Sequence, residues 1–182
     1  VATGLIDRLR TLPMWPWAVL SGRSVTDLMT AALCAAFVAG TGWLLGWQPQ
    51  GDPLATAAGF GIALLFAYAL SWACACVGLW VRGVESAQAF GFLVLFPLAF
   101  ISNALVPTTG MPDWLRTLAD WNPVSAVTSA CRLLWGDPDF ALGSQSWSMQ
   151  HPVETALAWC VGLLAVCMPL AWALYRRRTL SA

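Results

Sequence analysis

Lysine is absent from this 182-residue chain, and histidine occurs once, at His151. Only 10% of the residues are charged, nine acidic against nine arginines. Soluble domains carry roughly 25% charged residues, so this chain cannot dress a water-facing globular surface. Nucleic-acid binding needs a clustered basic face, and scattered arginines at net charge zero do not supply one. A single histidine rules out a histidine-based metal or catalytic cluster. No glycine-rich phosphate loop is present, so the chain is not itself a P-loop ATPase. Neither a GxSxG elbow nor an HExxH pair occurs. Six cysteines stand at 34, 74, 76, 131, 160 and 167. Five lie in apolar runs, and Cys74-Ala75-Cys76 lacks metal-ligand spacing, so all six read as small apolar packing residues.

What the chain has instead is hydrophobicity, at 59% of its residues. The class this predicts is an all-α polytopic membrane protein. Four uncharged or nearly uncharged runs predict transmembrane helices over 28–47, 54–81, 87–106 and 153–175. Each reaches or exceeds the ~20 residues that cross a ~30 Å hydrocarbon core. Pro97 should kink the third. Gly42 and Gly46 form a small-xxx-small motif that permits close helix packing. Trp43 and Trp47 mark one membrane interface; Trp72, Trp80, Trp172 and Tyr175 mark the other. Val1 is not a methionine, and no signal peptide precedes the first apolar run, so the chain reads as a fragment or a start-site artefact.

Arginine placement predicts orientation. Arg8, Arg10, Arg23, Arg82 and Arg176 to Arg178 fall on one side, and only Arg116 and Arg132 on the other. The positive-inside rule then puts both termini in the cytoplasm. The amino-terminal region, 1–20, opens with a short amphipathic stretch carrying Val1, Leu5, Leu9 and Leu12 on one stripe and Asp7, Arg8 and Arg10 off it. Such a stripe fits either the inner leaflet or a soluble partner. Arg23 and Asp27, four apart, can pair on one helix face.

The segment 107–152 predicts an extracytoplasmic helical hairpin, interfacial or re-entrant. Pro112 with Asp113 opens one helix, whose Trp114, Leu115, Leu118 and Trp121 share a face, leaving Arg116 and Asp120 to solvent. Asn122-Pro123 reads as N-cap and first helical residue of the next, which stops at Gly136. Asn103, near the end of the third span, is expected to satisfy backbone groups freed by Pro97 or to bond a neighbouring helix.

The order of these features resembles a known family. The stretch from Gly4 to Pro13, then Ala18 to Leu20, Gly22-Arg23 and Asp27, is similar to the cytoplasmic segment before the third span of type-2 ABC transporter permeases, nearest the daunorubicin/doxorubicin-resistance type. The stretch from Phe96 to Pro107, with Met111-Pro112, Trp114-Leu115 and Trp121-Asn122-Pro123-Val124-Ser125, is similar to that family's fifth span and outer helices. The resemblance implies a permease subunit with six spans, of which this chain matches the last four. It implies a second permease subunit, identical or not, and cytosolic ABC ATPase subunits that bind the ATP and Mg; this chain would hold no cofactor, metal or catalytic residue. Leu5, Arg8, Leu9, Arg10 and Leu12 would form the coupling helix against the ATPase. Arg23, Asp27, Pro97, Asn103, Trp121, Asn122 and Pro123 would be structural or gating residues. The implied function is export of drugs, antibiotics or lipids across the plasma membrane, in contact with membrane lipid and an amphiphilic substrate. Against this stand a non-transporting scaffold or truncated remnant, and an intramembrane enzyme. The last needs paired polar groups at membrane depth, for which the spans offer little beyond hydroxyls, Gln88 and Asn103.

Overall fold

Four of the helices begin at a proline, Pro16, Pro53, Pro123 or Pro152. Proline suits the first helical position because its missing N–H would have no intrahelical partner there, and its fixed φ already matches the helix. The computed structural model describes residues 16–81, 84–103, 112–137 and 146–180. Among them every regular element is an α-helix: α1 (Pro16–Leu44), α2 (Pro53–Trp80), α3 (Val84–Phe100), α4 (Asp113–Asp120), α5 (Pro123–Trp135), α6 (Trp147–Gln150) and α7 (Pro152–Leu180).

Two helices stop at a left-handed glycine, Gly46 with φ 91° and Gly136 with φ 85°. After α1, Trp47 N–H reaches Gly42 O at 2.9 Å and Gly46 N–H reaches Trp43 O at 3.0 Å. After α5, Asp137 N–H reaches Arg132 O at 3.0 Å and Gly136 N–H reaches Leu133 O at 3.3 Å. Both are Schellman caps, which satisfy carbonyls that the last turn leaves orphaned. Gly42 and Gly46 are thus used to end α1, and among the described residues the side chain that approaches Gly42 is its near neighbour Trp47. The expected close helix packing at this motif is not what the glycines do. The two caps do meet the same neighbourhood. Gln50 N–H donates to Trp135 O at 3.0 Å, and a Cβ on Gly51 would stand 2.6 Å from Leu134 O. The α1–α2 loop is therefore seated on the end of α5.

α2 is the hub, touching α7, α5, α1 and α3. One core joins Ile62 and Phe66 of α2 to Ala126, Val127, Ala130 and Cys131 of α5 and to Ala156 and Cys160 of α7. A second joins Trp72 and Cys76 to Cys167 and Ala171. In lipid, apolar side chains gain little by leaving one apolar medium for another, so helices associate through close van der Waals contact over small residues. Ala69, Ala130, Ala156, Cys160 and Ala171 have no exposed surface at all. Four of the six cysteines are buried and all six are free thiols, in keeping with their reading as small packing residues.

Among the described residues, three helices are long and apolar enough to cross a membrane: Ser24–Leu44 within α1, all of α2, and Pro152–Leu174 within α7. The expected third span, 87–106, is replaced by α3, whose 17 residues make about 25 Å at 1.5 Å per residue. That is short of a ~30 Å core. Pro97 does not divide α3; the helix runs through it and ends at Phe100, one turn later. Trp72, expected at an interface, is instead buried, packed edge-on to Tyr68 with centroids 6.3 Å apart. α7 runs on through the arginines to Leu180.

Candidate functional site

The end of α3 and the start of α5 form one buried polar junction. The last carbonyls of α3 have no helical partner and need another donor. Pro97 O accepts from Ile101 N at 2.9 Å, and Ala99 O from Ser102 N at 3.3 Å and Ser102 Oγ at 2.6 Å. Leu98 O is left over, and the Asn122 side chain takes it, Nδ2 donating at 2.7 Å. The same side chain caps α5, its Oδ1 accepting from Val124 N–H at 2.9 Å. One asparagine, only 5% exposed, therefore closes the C-terminus of one helix and the N-terminus of another. No hydrophobic residue can replace it without orphaning two backbone groups.

Asn103 makes the second tie. Its backbone N–H donates to Ser125 Oγ at 3.0 Å and its Nδ2 to Ser129 Oγ at 2.9 Å. Ser125 and Ser129 are four apart on α5, three and seven residues beyond Asn122, so one face of the helix carries the whole seam. Ser129 Oγ donates back to Ser125 O at 2.6 Å. Met149 of α6 closes the site, with Sδ 3.8 Å from Asn103 Nδ2 and 3.4 Å from Ser129 Oγ. Asn103 Oδ1 is buried and meets no donor among the described residues. Asn103 thus bonds a neighbouring helix, one of its two expected roles, while Asn122 serves the carbonyl near the proline.

Asp120, expected in solvent, is instead buried. The apolar face of α4 points away from the other helices, as an interfacial helix requires, with Trp114, Leu118 and Trp121 at 68%, 58% and 54% exposure. Arg116 is half-buried. α6 meets the end of α4, where Ser148 Oγ donates to the Asp120 backbone carbonyl at 2.8 Å. Burial pushes the Asp120 carboxyl above its ordinary value, opposed by the Arg116 charge and a hydrogen bond from Ser146.

Pro97, Asn103, Trp121, Asn122 and Pro123, picked out separately in the sequence, converge on this junction. Asp27 does not belong to it. It accepts a hydrogen bond from Ser71 Oγ of α2 and so ties α1 to the hub. Arg23 lies in α1 but its side chain is outside the described residues, as are Leu5, Arg8, Leu9, Arg10 and Leu12. Sequence reading missed Ser102, Ser125, Ser129, Ser148 and Asp120, all buried. The spacing Asn122, Ser125, Ser129 was the available signal: three small polar residues on one face of a largely apolar helix.

The ABC-2 type transporter model matches residues 1–134. The daunorubicin resistance ABC transporter permease protein DrrB1 of Streptomyces coeruleorubidus is 33% identical over 178 residues, 96% of this chain and 59% of that protein. The chain thus spans well under two thirds of the length of this curated relative. No solved structure matches. With apolar helices long enough to cross a membrane and a family match over most of its length, the chain is a membrane protein belonging to the ABC-2 type transporter family.

Proposed function

We propose that this chain forms the transmembrane part of an ATP-driven exporter of amphiphilic molecules, drugs, antibiotics or lipids, at the plasma membrane. Identity to a drug-resistance permease over 96% of the chain is the observation that carries the reading. The permease performs no bond chemistry. ATP and Mg act in a cytosolic ATPase, which engages the 1–20 region through Leu5, Arg8, Leu9, Arg10 and Leu12, and a second permease subunit completes the pathway. Expressed with its ATPase, the protein should drive ATP-dependent efflux of a fluorescent amphiphile from cells. Efflux that is unchanged when the ATPase carries an inactivating substitution in its phosphate loop refutes an ATP-driven role.

The geometry supports a specific layout. α5 lies beside the first half of α2, between Gly59 and Phe66, with Trp135 at the Gly59 end. At 13 residues it is about 20 Å long. α3 ends where α5 begins, well inside the length of α2. In this layout α3 is the remaining crossing, and α4 and α5 form a re-entrant hairpin that completes it, within 107–152. Irregular backbone at such depth is tolerated only where protein satisfies it, which is what Asn103 and Asn122 do. Differential binding of ATPase states to the amino-terminal region shifts the population of two bundle arrangements, with the polar junction as the hinge, steadied by Pro97, Trp121 and Pro123. Arg23 and Asp27 link the cytoplasmic region to α1.

Both termini are placed in the cytoplasm. A cysteine replacing the exposed Asp137 should react with an impermeant thiol reagent added to intact cells, and one replacing Arg178 should not. Reversed labelling refutes the orientation.

A further inference from the structure

We propose that the Asp120 carboxyl is a proton-operated latch: with a proton bound it lets the end of α4 lie sealed against α6, and on losing the proton it loosens that seal. The structure places this carboxyl unusually. It is the last residue of α4 and 5% exposed. A helix C-terminus carries partial negative charge and disfavours a further anion. Its Oδ1 is closed off from solvent and meets no donor among the described residues, the Ser146 hydrogen bond being the one side-chain bond acting on the carboxyl. Ser148, itself 1% exposed, holds the Asp120 backbone carbonyl at 2.8 Å and so fixes the end of α4 against α6, where the carboxyl is buried. A proton is the one ligand that neutralises such a group and needs no cavity.

The groups acting on it are few. On its own helix the charge of Arg116, one turn back, favours the anion. The 146–150 segment presents Ser146 and Ser148, which do not titrate, and no charged group of α5, α6 or α7 among the described residues acts on it. Burial outweighs these and raises the carboxyl above the ordinary 3.8. The open form therefore gives up its proton near 3.8, while the sealed form holds it to higher pH. The sealed form binds more protons, so it is favoured at low pH and loses ground as pH rises from 3.8 through the raised value, with no further change above that. The latch is a property of α4 and α6 and does not depend on what is transported.

The test is amide hydrogen exchange of the purified protein in lipid nanodiscs from pH 3.5 to pH 8, with intrinsic rates corrected for pH. Protection over 113–122, taken relative to α5 in the same sample, should fall at least fivefold with rising pH. Asp120→Asn, which mimics the neutral acid, should stay protected throughout. Arg116→Gln removes the cation that favours release, so its loss of protection should move to higher pH. A wild-type ratio that is flat with pH overturns the latch, as does an equal fall in Asp120→Asn. Should Asp120→Asn lose protection in α5 as well, it has misfolded and the Arg116→Gln arm decides, an unshifted transition there being the overturning result.

Discussion

Replacing Asn122 by leucine is expected to destabilise the helical bundle by about 2–5 kcal/mol and to abolish transport. Leucine keeps the volume but removes both hydrogen-bonding ends of the side chain. Val124 N–H loses its cap and Leu98 O loses its only side-chain donor. Losing an N-cap costs typically ~1 kcal/mol, and a buried backbone group left without a partner costs ~1–3 kcal/mol. Against a typical total stability of ~5–15 kcal/mol that is a large share. Asn122→Asp separates the two roles. The carboxylate still accepts from Val124 N–H, and favourably so at a helix N-terminus, but it cannot donate to Leu98 O and sets a negative charge against that carbonyl. It should therefore leave α5 capped and loosen only the end of α3. Thermal unfolding in detergent gives the total effect, and hydrogen exchange over 98–103 against 123–130 gives its location. A leucine variant with the wild-type midpoint, or an aspartate variant that frays α5 before α3, is incompatible with one side chain serving both helices.

Aspartates in place of Leu5 and Leu9 should release the ATPase from the membrane. Both lie on the single apolar stripe of the amino-terminal stretch, and in the proposed assembly that stripe fills a groove on the ATPase. Each buried leucine is worth ~1.5–3 kcal/mol, and inserting a carboxylate into the same apolar groove adds an unpaired charge. A combined loss of at least about 4 kcal/mol is a fall of roughly a thousandfold in affinity. Arg8 and Arg10 sit off the stripe, at the rim, where a lost charge costs ~1 kcal/mol or less and the effect fades with salt. Arg8→Gln should thus weaken association mildly and at low ionic strength only. A helix lying on the inner leaflet predicts otherwise: the aspartates would detach it from lipid and leave the ATPase bound. Co-purification of a tagged ATPase with each variant separates these outcomes, and an ATPase retained in full by the double aspartate variant removes the coupling role from this stretch.

The sequence by itself determined the class, the family and both ends of α5. Low charge and long apolar runs admit only a membrane bundle, and the two ends of α5 are written locally, within one turn. Asn122-Pro123 and Gly136 act through their own φ angles and their own side chains, so no distant residue is needed to read them. The tertiary structure alone decided which faces meet. α2 and α7 are apolar nearly all round, so no stripe distinguishes the side facing protein from the side facing lipid, and burial of Trp72 was not legible. α4 does have a stripe, and its apolar side faces away from the bundle, yet Asp120 from the polar side is buried where Ser148, 28 residues later, meets the end of the helix. The shortness of α3 has the same origin. Its apolar run continues past Phe100, and only the approach of Asn122, Ser125 and Ser129, more than twenty residues away, makes it favourable to end the helix there and hand its free carbonyl and amide to another chain segment. Hydrogen bonds between segments this far apart leave no local pattern, and in a lipid-facing chain there is no change from apolar to polar sequence to reveal them.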